Sequence, residues 1–426
     1  MRHSMIRGLA SAAGLLLSLI TAASAAQITV QPGADLQAAI RAAAAGDTLV
    51  LAPGVYRGPV LIDRPLTLQG APGAVIDGQR RDSTVKVTAP HVVLRHLDIR
   101  NSGRSLEAMD AGVFLTTTAN DAVVEDDILT GNLVGVWLHG SARAIVQRNR
   151  IVGWNAPHLN DSGNGIYVWN APGAQVLDND ISGGRDGIFT NTSRNNVFRG
   201  NRLHGVRFAV HYMYTNDSEV SDNVSIGNHA GYVVMFSNHL IIRNNVSEHD
   251  RAHGLLFNYA NHSQITGNVV LGGEKCVFIY NANMNLFSDN WLQDCDIGVH
   301  FTAGSERNTI TGNAFINNHA QVKYVGTRNL DWAVNGRGNY WSDNAAFDLN
   351  GDGIADEAYR PNDLMDQIAW RAPLAKLLMN SPAVQVVRWA QSQFPAIHPG
   401  GVIDSAPLMR PPSPVALARL TTEAAR

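Results

Sequence analysis

Gly231-Tyr-Val-Val-Met235, Gly254-Leu-Leu-Phe-Asn258 and Cys276-Val-Phe-Ile-Tyr280 repeat one pattern, a small residue followed by a short, mainly apolar run. Earlier copies open at Gly112, Gly135, Gly165, Gly187 and Ala209, and a later one opens at Gly298. Successive openings are 23, 30, 22, 22, 22, 23, 22 and 22 residues apart. A period this regular is the signature of a solenoid, in which each repeat buries its apolar face only by stacking on its neighbours. The single long spacing holds an insertion, residues 155–163, which is expected to bulge from one corner as a loop.

A second ladder keeps phase with the first: Asn149, Asn179, Asn201, Asn223, Asn245, Asn268, Asn290 and Asn313. Asparagine tolerates the left-handed backbone of a sharp corner, and stacked amides can bond from rung to rung. A strand, a corner and a second strand within one such period make one coil of a parallel β-helix. A leucine-rich repeat would need a helix in each unit, and none of these units has helical periodicity. The expected fold is therefore all-β, a right-handed single-stranded parallel β-helix.

The ends differ from the middle. Leu36, Ala39, Ile40 and Ala43 after Asp35 mark a short amphipathic helix able to cap the first coil. At the other end the repeat fades after Asn313, residues 364–394 read as helix broken near Ser381-Pro382, and the tail from Pro395 is Pro-rich and extended. The expected layout is a signal peptide over residues 1–26, the β-helix over 27–345, an Asp/Asn-rich loop over 346–362, and a C-terminal helix with extended tail over 363–426.

Arg2 and Arg7 precede an apolar run from Leu9 to Ile20, followed by Ala23-Ser-Ala25, which reads as a secretory signal cleaved near Ala26. The run is shorter than the roughly 20 residues a membrane span needs. A periplasmic location is expected, with any membrane attachment through a partner. Across the whole chain 33 basic residues face 36 acidic ones, with no basic block, so nucleic acid is not an expected partner.

Strand side chains alternate, so the second and fourth residues of each copy share one face and the third and fifth the other. The second and fourth positions, Val210/Tyr212 and Tyr232/Val234 among them, form the expected packed interior. The third positions are Phe114, Trp137, Tyr167, Phe189, His211, Val233, Leu256, Phe278 and His300, an apolar and aromatic outward stripe. The fifth positions add His139, Trp169, Met213, Met235 and Tyr280. Such a stripe marks a binding surface, unless a corner loop or the segment after Asp363 lies over it.

Stacked coils bring equal positions of successive copies within about 4.8 Å. Met213 and Met235 become vertical neighbours with His211 beside them, and His239, His262 and Met284 form a column at the following corner. Thioether and imidazole together suit Cu(I), whereas thioethers serve zinc, calcium and magnesium poorly. These six residues are the copper candidates; local packing and hydrogen bonding is their alternative role.

Cys276 and Cys295 fall near one corner of adjacent coils, where a disulfide, two buried thiols and a copper site are all open. Asp348, Asn350, Asp352 and Asp356 place oxygens at nearly alternate positions around Gly353, a spacing that can wrap calcium. Tyr359 stands where an EF-hand has its bidentate Glu, and an Asx-turn loop without metal is the alternative.

The signal peptide, the Asn-laddered coils, Gly338-Asn-Tyr-Trp-Ser-Asp-Asn344 leading into Asp348-Leu-Asn-Gly-Asp-Gly353, and Trp389-Ala-Gln-Ser-Gln-Phe394 through Pro407-Leu-Met409 resemble the NosD family, periplasmic maturation proteins of nitrous oxide reductase. The resemblance implies an accessory component of an ABC-type transporter with a membrane subunit and a cytoplasmic ATPase. It also implies exchange of copper with a chaperone lipoprotein (NosL-like) and with the apo-reductase. The competing expectation is a carbohydrate-binding or carbohydrate-active β-helix, since lyases and epimerases use the same coil with aromatic outward faces. Hydrolysis would need clustered carboxylates. The stripe carries almost none, and Asp178, Asp222 and Asp289 each precede a ladder Asn as corner residues. No catalytic residue is expected.

Overall fold

The computed structural model describes residues 25–302, 304–326, 328–361, 374, 378, 381–393 and 401–424. One coil shows how the repeat folds. The strand Gln175–Leu177 turns at Asp178 and Asn179, runs on as Asp180–Ser182, bends at Gly187 and continues as Ile188–Asn191. Every strand pairs in parallel with its equivalent in the next coil, so that Gln175 meets Val197, Asp180 meets Arg202 and Ile188 meets Val210. The first strand type forms a sheet of 13 strands from Gln27–Val30 to Thr309–Thr311, and the other two join in a second sheet of 23. This is the expected parallel β-helix.

The expected interior is the core. Val113, Leu115, Val136, Leu138, Ile166, Val168, Val210, Tyr212, Tyr232, Val234, Leu255 and Phe257 are all buried in one cluster that runs the length of the coils. Small residues open the copies because the bend brings chain against chain. A Cβ on Gly254 would stand 2.4 Å from a Val270 methyl and 2.9 Å from the Cys276 carbonyl oxygen.

The asparagine ladder is continuous. Asn223 Oδ1 accepts from both the backbone N–H and the side-chain amide of Asn201, at 2.9 Å each, while Asn223 Nδ2 donates to Phe198 O and to Asn245 Oδ1. Each amide thus satisfies the corner of the coil before it, and buried polar groups of this kind must be paired. Asp178, Asp222 and Asp289 sit just before their ladder Asn at φ of 53°, 58° and 56°, left-handed corner positions.

Leu36–Ala42 forms the N-terminal cap: Asp35 accepts from the Ala38 N–H, and Leu36 and Ile40 are buried on the first coils. At the opposite end, Leu330–Asp331 pairs in parallel with Val402–Ile403, and Leu408 N donates to Asn339 O. The helix Val415–Ala424 lies against the coils through Ala416, Leu417 and Leu420, which meet Val224, Val246, Val269, Leu271 and Trp291. Arg419 anchors it to Asn244 O at 2.7 Å and to Asp222 at 3.0 Å. This helix covers the sheet face beside the aromatic stripe rather than the stripe, unlike the alternative in which the C-terminal segment lies over the stripe. Of the expected helix over 364–394, Pro382–Gln393 is described and the preceding part, like the signal peptide, lies outside the described residues. No described helix is long and apolar enough to cross a membrane.

Candidate copper site on the outward strand

The outward stripe is a stack of rings. Phe114 and Trp137 stack 4.3 Å apart with nearly parallel planes, Tyr167 and Phe189 follow at 5.0 Å, and Phe189 meets His211 at 4.8 Å. Over its N-terminal part the flanking loops pack down: Met109 and Trp154 join Phe114, Trp137 and Tyr167, with Arg104 over the Trp154 ring. The corner-loop alternative therefore holds there. In the middle, Ala230, Val233 and Leu256 are buried against Phe208, Met235 and Phe278. Farther on, His300 is partly buried, and burial together with Lys323 and Lys275 holds it down to about 4, a neutral imidazole.

Met213 and Met235 stand directly opposite each other in the parallel ladder, both half-buried, with Asn191 and Asn258 on either side. His211 is 5% exposed. Its Nδ1 lies 3.2 Å from Asp186 Oδ2, and its Nε2 is buried without a hydrogen-bond partner among the described residues. Asp186, 1% exposed, also receives Arg207 through Nε at 2.8 Å and Nη2 at 2.6 Å. Burial would raise the Asp186 carboxyl, but hydrogen bonds from His211 and Arg207 outweigh it and hold it below the usual carboxylate range. A carboxylate can only accept, so Nδ1 of His211 is the donor of this pair, and in the neutral ring Nε2 then carries the lone pair.

Asp186 and Arg207 escaped the sequence reading because strict alternation fails at the bend. Phe208 and His211 face outward, but Ala209 and Val210 between them are both in the core. The residue just before each opening therefore also faces out, and Asp186 is one of these.

The corner column is assembled differently. His239, His262 and Met284 are exposed and sit at φ of 56°, 54° and 56°. They continue a series of left-handed residues at the same corner, Asp121, Arg143, Asn195 and Asp217 before them and Arg307 after. The two imidazoles stack at 5.4 Å, and His239 Nδ1 faces Asp217 at 3.4 Å. The Asn216, Asn238, Asn261 and Asn283 ladder expected beside them is present, with Asn261 Nδ2 donating to Asn238 Oδ1 at 3.0 Å. Among the described residues no group of three or more His, Cys, Asp or Glu converges as a metal cluster.

A second exposed ring stack went unread. Tyr214, Phe236 and Tyr259, each one residue after the fifth strand position, are exposed and stack at 5.1 and 5.2 Å, two of them directly following Met213 and Met235 in the chain. All three take left-handed φ of 49° to 52°, where bulky residues cost about 1 kcal/mol or more each. The equivalent residues in other coils include Asn170, Thr192 and Asn281, two of them asparagines that suit such a corner better. The signal that could have found them is this departure within one column.

Cys276 and Cys295 form a disulfide, with Cα atoms 5.7 Å apart, and both are buried. This closes the alternatives left open for them and removes both sulfurs from the copper candidates. In the acidic loop Asp348 accepts from the N–H groups of Gly351, Asp352 and Gly353, Asn350 from Asp352, and Asp356 from Leu349. These are Asx-turn bonds made by the same side chains proposed for calcium.

Residues 154–346 match the family model described as "Periplasmic copper-binding protein (NosD)". A protein of Stutzerimonas stutzeri named "Probable ABC transporter binding protein NosD" is 39% identical over 378 residues, which cover 85% of this chain and 87% of that one. A Pseudomonas aeruginosa protein of the same name is 40% identical over 377 residues, with 85% and 88% covered. Among solved structures, the Agl-KA catalytic domain superposes with a TM-score of 0.50 at 12% identity, covering 68% of this chain and 66% of that one, a likeness of fold.

Proposed function

Because the chain belongs to the NosD family of periplasmic copper-binding proteins, a family of binding proteins rather than enzymes, we propose that it carries copper for assembly of the copper centres of nitrous oxide reductase. In this reading it docks on the membrane subunit of an ABC-type transporter whose ATPase is cytoplasmic. It takes copper from a chaperone lipoprotein and passes it to the apo-reductase. The transporter-binding name of its relatives supports that setting.

The observation that carries the copper reading is the register of Met213 with Met235 beside the buried His211. Two thioethers one coil apart, about 4.8 Å in strand spacing, can turn toward one ion without rebuilding the backbone. Soft sulfur ligands select Cu(I). A seat of two or three ligands stays open to a partner's ligand, which suits a carrier that must release its ion, where a closed four-ligand cage would hold it. The corner column His239, His262 and Met284, exposed on the adjacent turn, would serve as a landing site on the way in or out.

Titration with Cu(I) against a competing chelator under reducing conditions tests this. Replacing Met213 and Met235 together by Leu is expected to weaken binding at least tenfold with circular dichroism unchanged. The triple change of His239, His262 and Met284 to Ala is expected to slow reductase maturation more than it lowers affinity. Parent-like Cu(I) binding in the Met213→Leu, Met235→Leu chain would overturn the assignment.

A further inference from the structure

His211 is held like a metal ligand, yet nothing among the described residues uses its second nitrogen. A buried polar atom left without a partner costs about 1–3 kcal/mol, and His211 Nε2, one of twelve such side-chain atoms among the described residues, is set apart by a ring whose other nitrogen is held by a buried carboxylate. His211 is not loose: its ring is wedged between Phe189 at 4.8 Å and the edge of Phe208 at 5.2 Å, and Nδ1 is tied to Asp186. Asp186 in turn is fixed by two bonds from Arg207, whose guanidinium lies 4.3 Å over the Phe208 ring. Arginine, carboxylate and imidazole thus form a chain that ends in a lone pair on the same face as Met213 and Met235. Ligating histidines characteristically donate their other N–H to a carboxylate in this way, which fixes the tautomer and raises ligand basicity.

Resting on the copper reading above, we infer that His211 Nε2 joins the Met213 and Met235 thioethers as the nitrogen ligand of Cu(I), and that Asp186, clamped by Arg207, is the positioning residue that holds the ring in the Nδ1–H tautomer with Nε2 turned to the ion. The seat is then two sulfurs and one nitrogen. The ion enters through the half-buried thioethers, because His211 itself is covered.

The test uses the full mature chain, labelled with 15N in histidine, with Cu(I) added under reducing conditions. In the metal-free parent, two-bond 1H–15N correlations should show His211 as the Nδ1–H tautomer, and Cu(I) should move its Nε2 resonance. Asp186→Asn keeps the shape but offers Nδ1 an amide donor, so the ring should reverse to Nε2–H, and Cu(I) affinity should fall about 10- to 100-fold, the range typical of lost outer-shell partners. The parent measurement stands alone if Asp186→Asn does not fold. An Nε2–H parent, or an Nε2 line unmoved in a chain whose Cu(I) binding needs both methionines, overturns the nitrogen ligand and leaves the copper reading intact. Parent-like affinity in a folded Asp186→Asn overturns the positioning role. Unchanged binding in the Met213→Leu, Met235→Leu chain instead overturns the copper reading of this strand.

Discussion

Asn339 donates both its backbone N–H, at 2.7 Å, and its side-chain amide, at 3.3 Å, to Oδ2 of Asp404, a residue 65 positions later. Every ladder Asn bonds to an acceptor in the following coil, so the last one needs an acceptor from outside the repeat. Asp404 supplies it, and the same oxygen takes Trp341 Nε1 at 2.8 Å. Burial raises the Asp404 carboxyl, with these donors partly offsetting it.

Asp404→Ala should therefore act as loss of the C-terminal cap. The Asn339 and Ala406 N–H groups and Trp341 Nε1 would lose their acceptor, at about 1–3 kcal/mol each, while the Asn339 side-chain amide keeps Ile310 O. A drop of roughly 3 kcal/mol or more is expected in urea unfolding, with Asp404→Asn milder because one side-chain oxygen remains.

His300 sets a pH dependence. Its folded-state value is about 4, below the ordinary 6.5, so the unfolded chain takes up this proton first as pH falls. The contribution is complete above pH 6.5 and is lost progressively between 6.5 and 4. His300→Gln should flatten the stability profile across that window by about 1 kcal/mol, after allowing for solvent screening at a partly exposed ring. Paired denaturation curves at pH 7 and pH 4.5 measure it.

The disulfide should matter for stability and not for copper. Cys276 and Cys295 are 19 residues apart and bonded to each other, so replacing both by Ser removes a cross-link worth about 2–4 kcal/mol. Cu(I) affinity in the double variant should equal that of the parent, measured by chelator competition at a temperature where both are folded.

The ring stack at the corner separates stability from docking. Changing Tyr214, Phe236 and Tyr259 to Asn gives up two stacked pairs, about 0.5–1.5 kcal/mol each, and relieves left-handed strain of similar size. Stability should stay within about 1 kcal/mol of the parent. Capture of the chaperone lipoprotein in a pull-down should fall, since these exposed rings border the thioethers that a donor must reach.

The period and the inward face were legible because both come from spacing: Val210 and Tyr212, or Tyr232 and Val234, are buried wherever the coil is cut. Met213 and Met235 were legible as neighbours for the same reason. Asp186 was not, because the bend at each opening breaks the alternation by which faces are read. The left-handed backbone under His239, His262, Met284 and Phe236 is also invisible to spacing, since none of these side chains announces a positive φ. The reach of the C-terminal segment was hidden for a third reason. Asp404 and Ala416 find their partners across long stretches of chain, and no local pattern marks such contacts.

The most direct test of copper carriage on this strand is X-ray absorption at the copper edge of the Cu(I)-loaded mature protein. A low-coordinate Cu(I) centre with two sulfur scatterers and one nitrogen is expected, with the sulfur signal lost in the Met213→Leu, Met235→Leu chain. A centre built only from nitrogen and oxygen, or a sulfur signal that survives both substitutions, would contradict it.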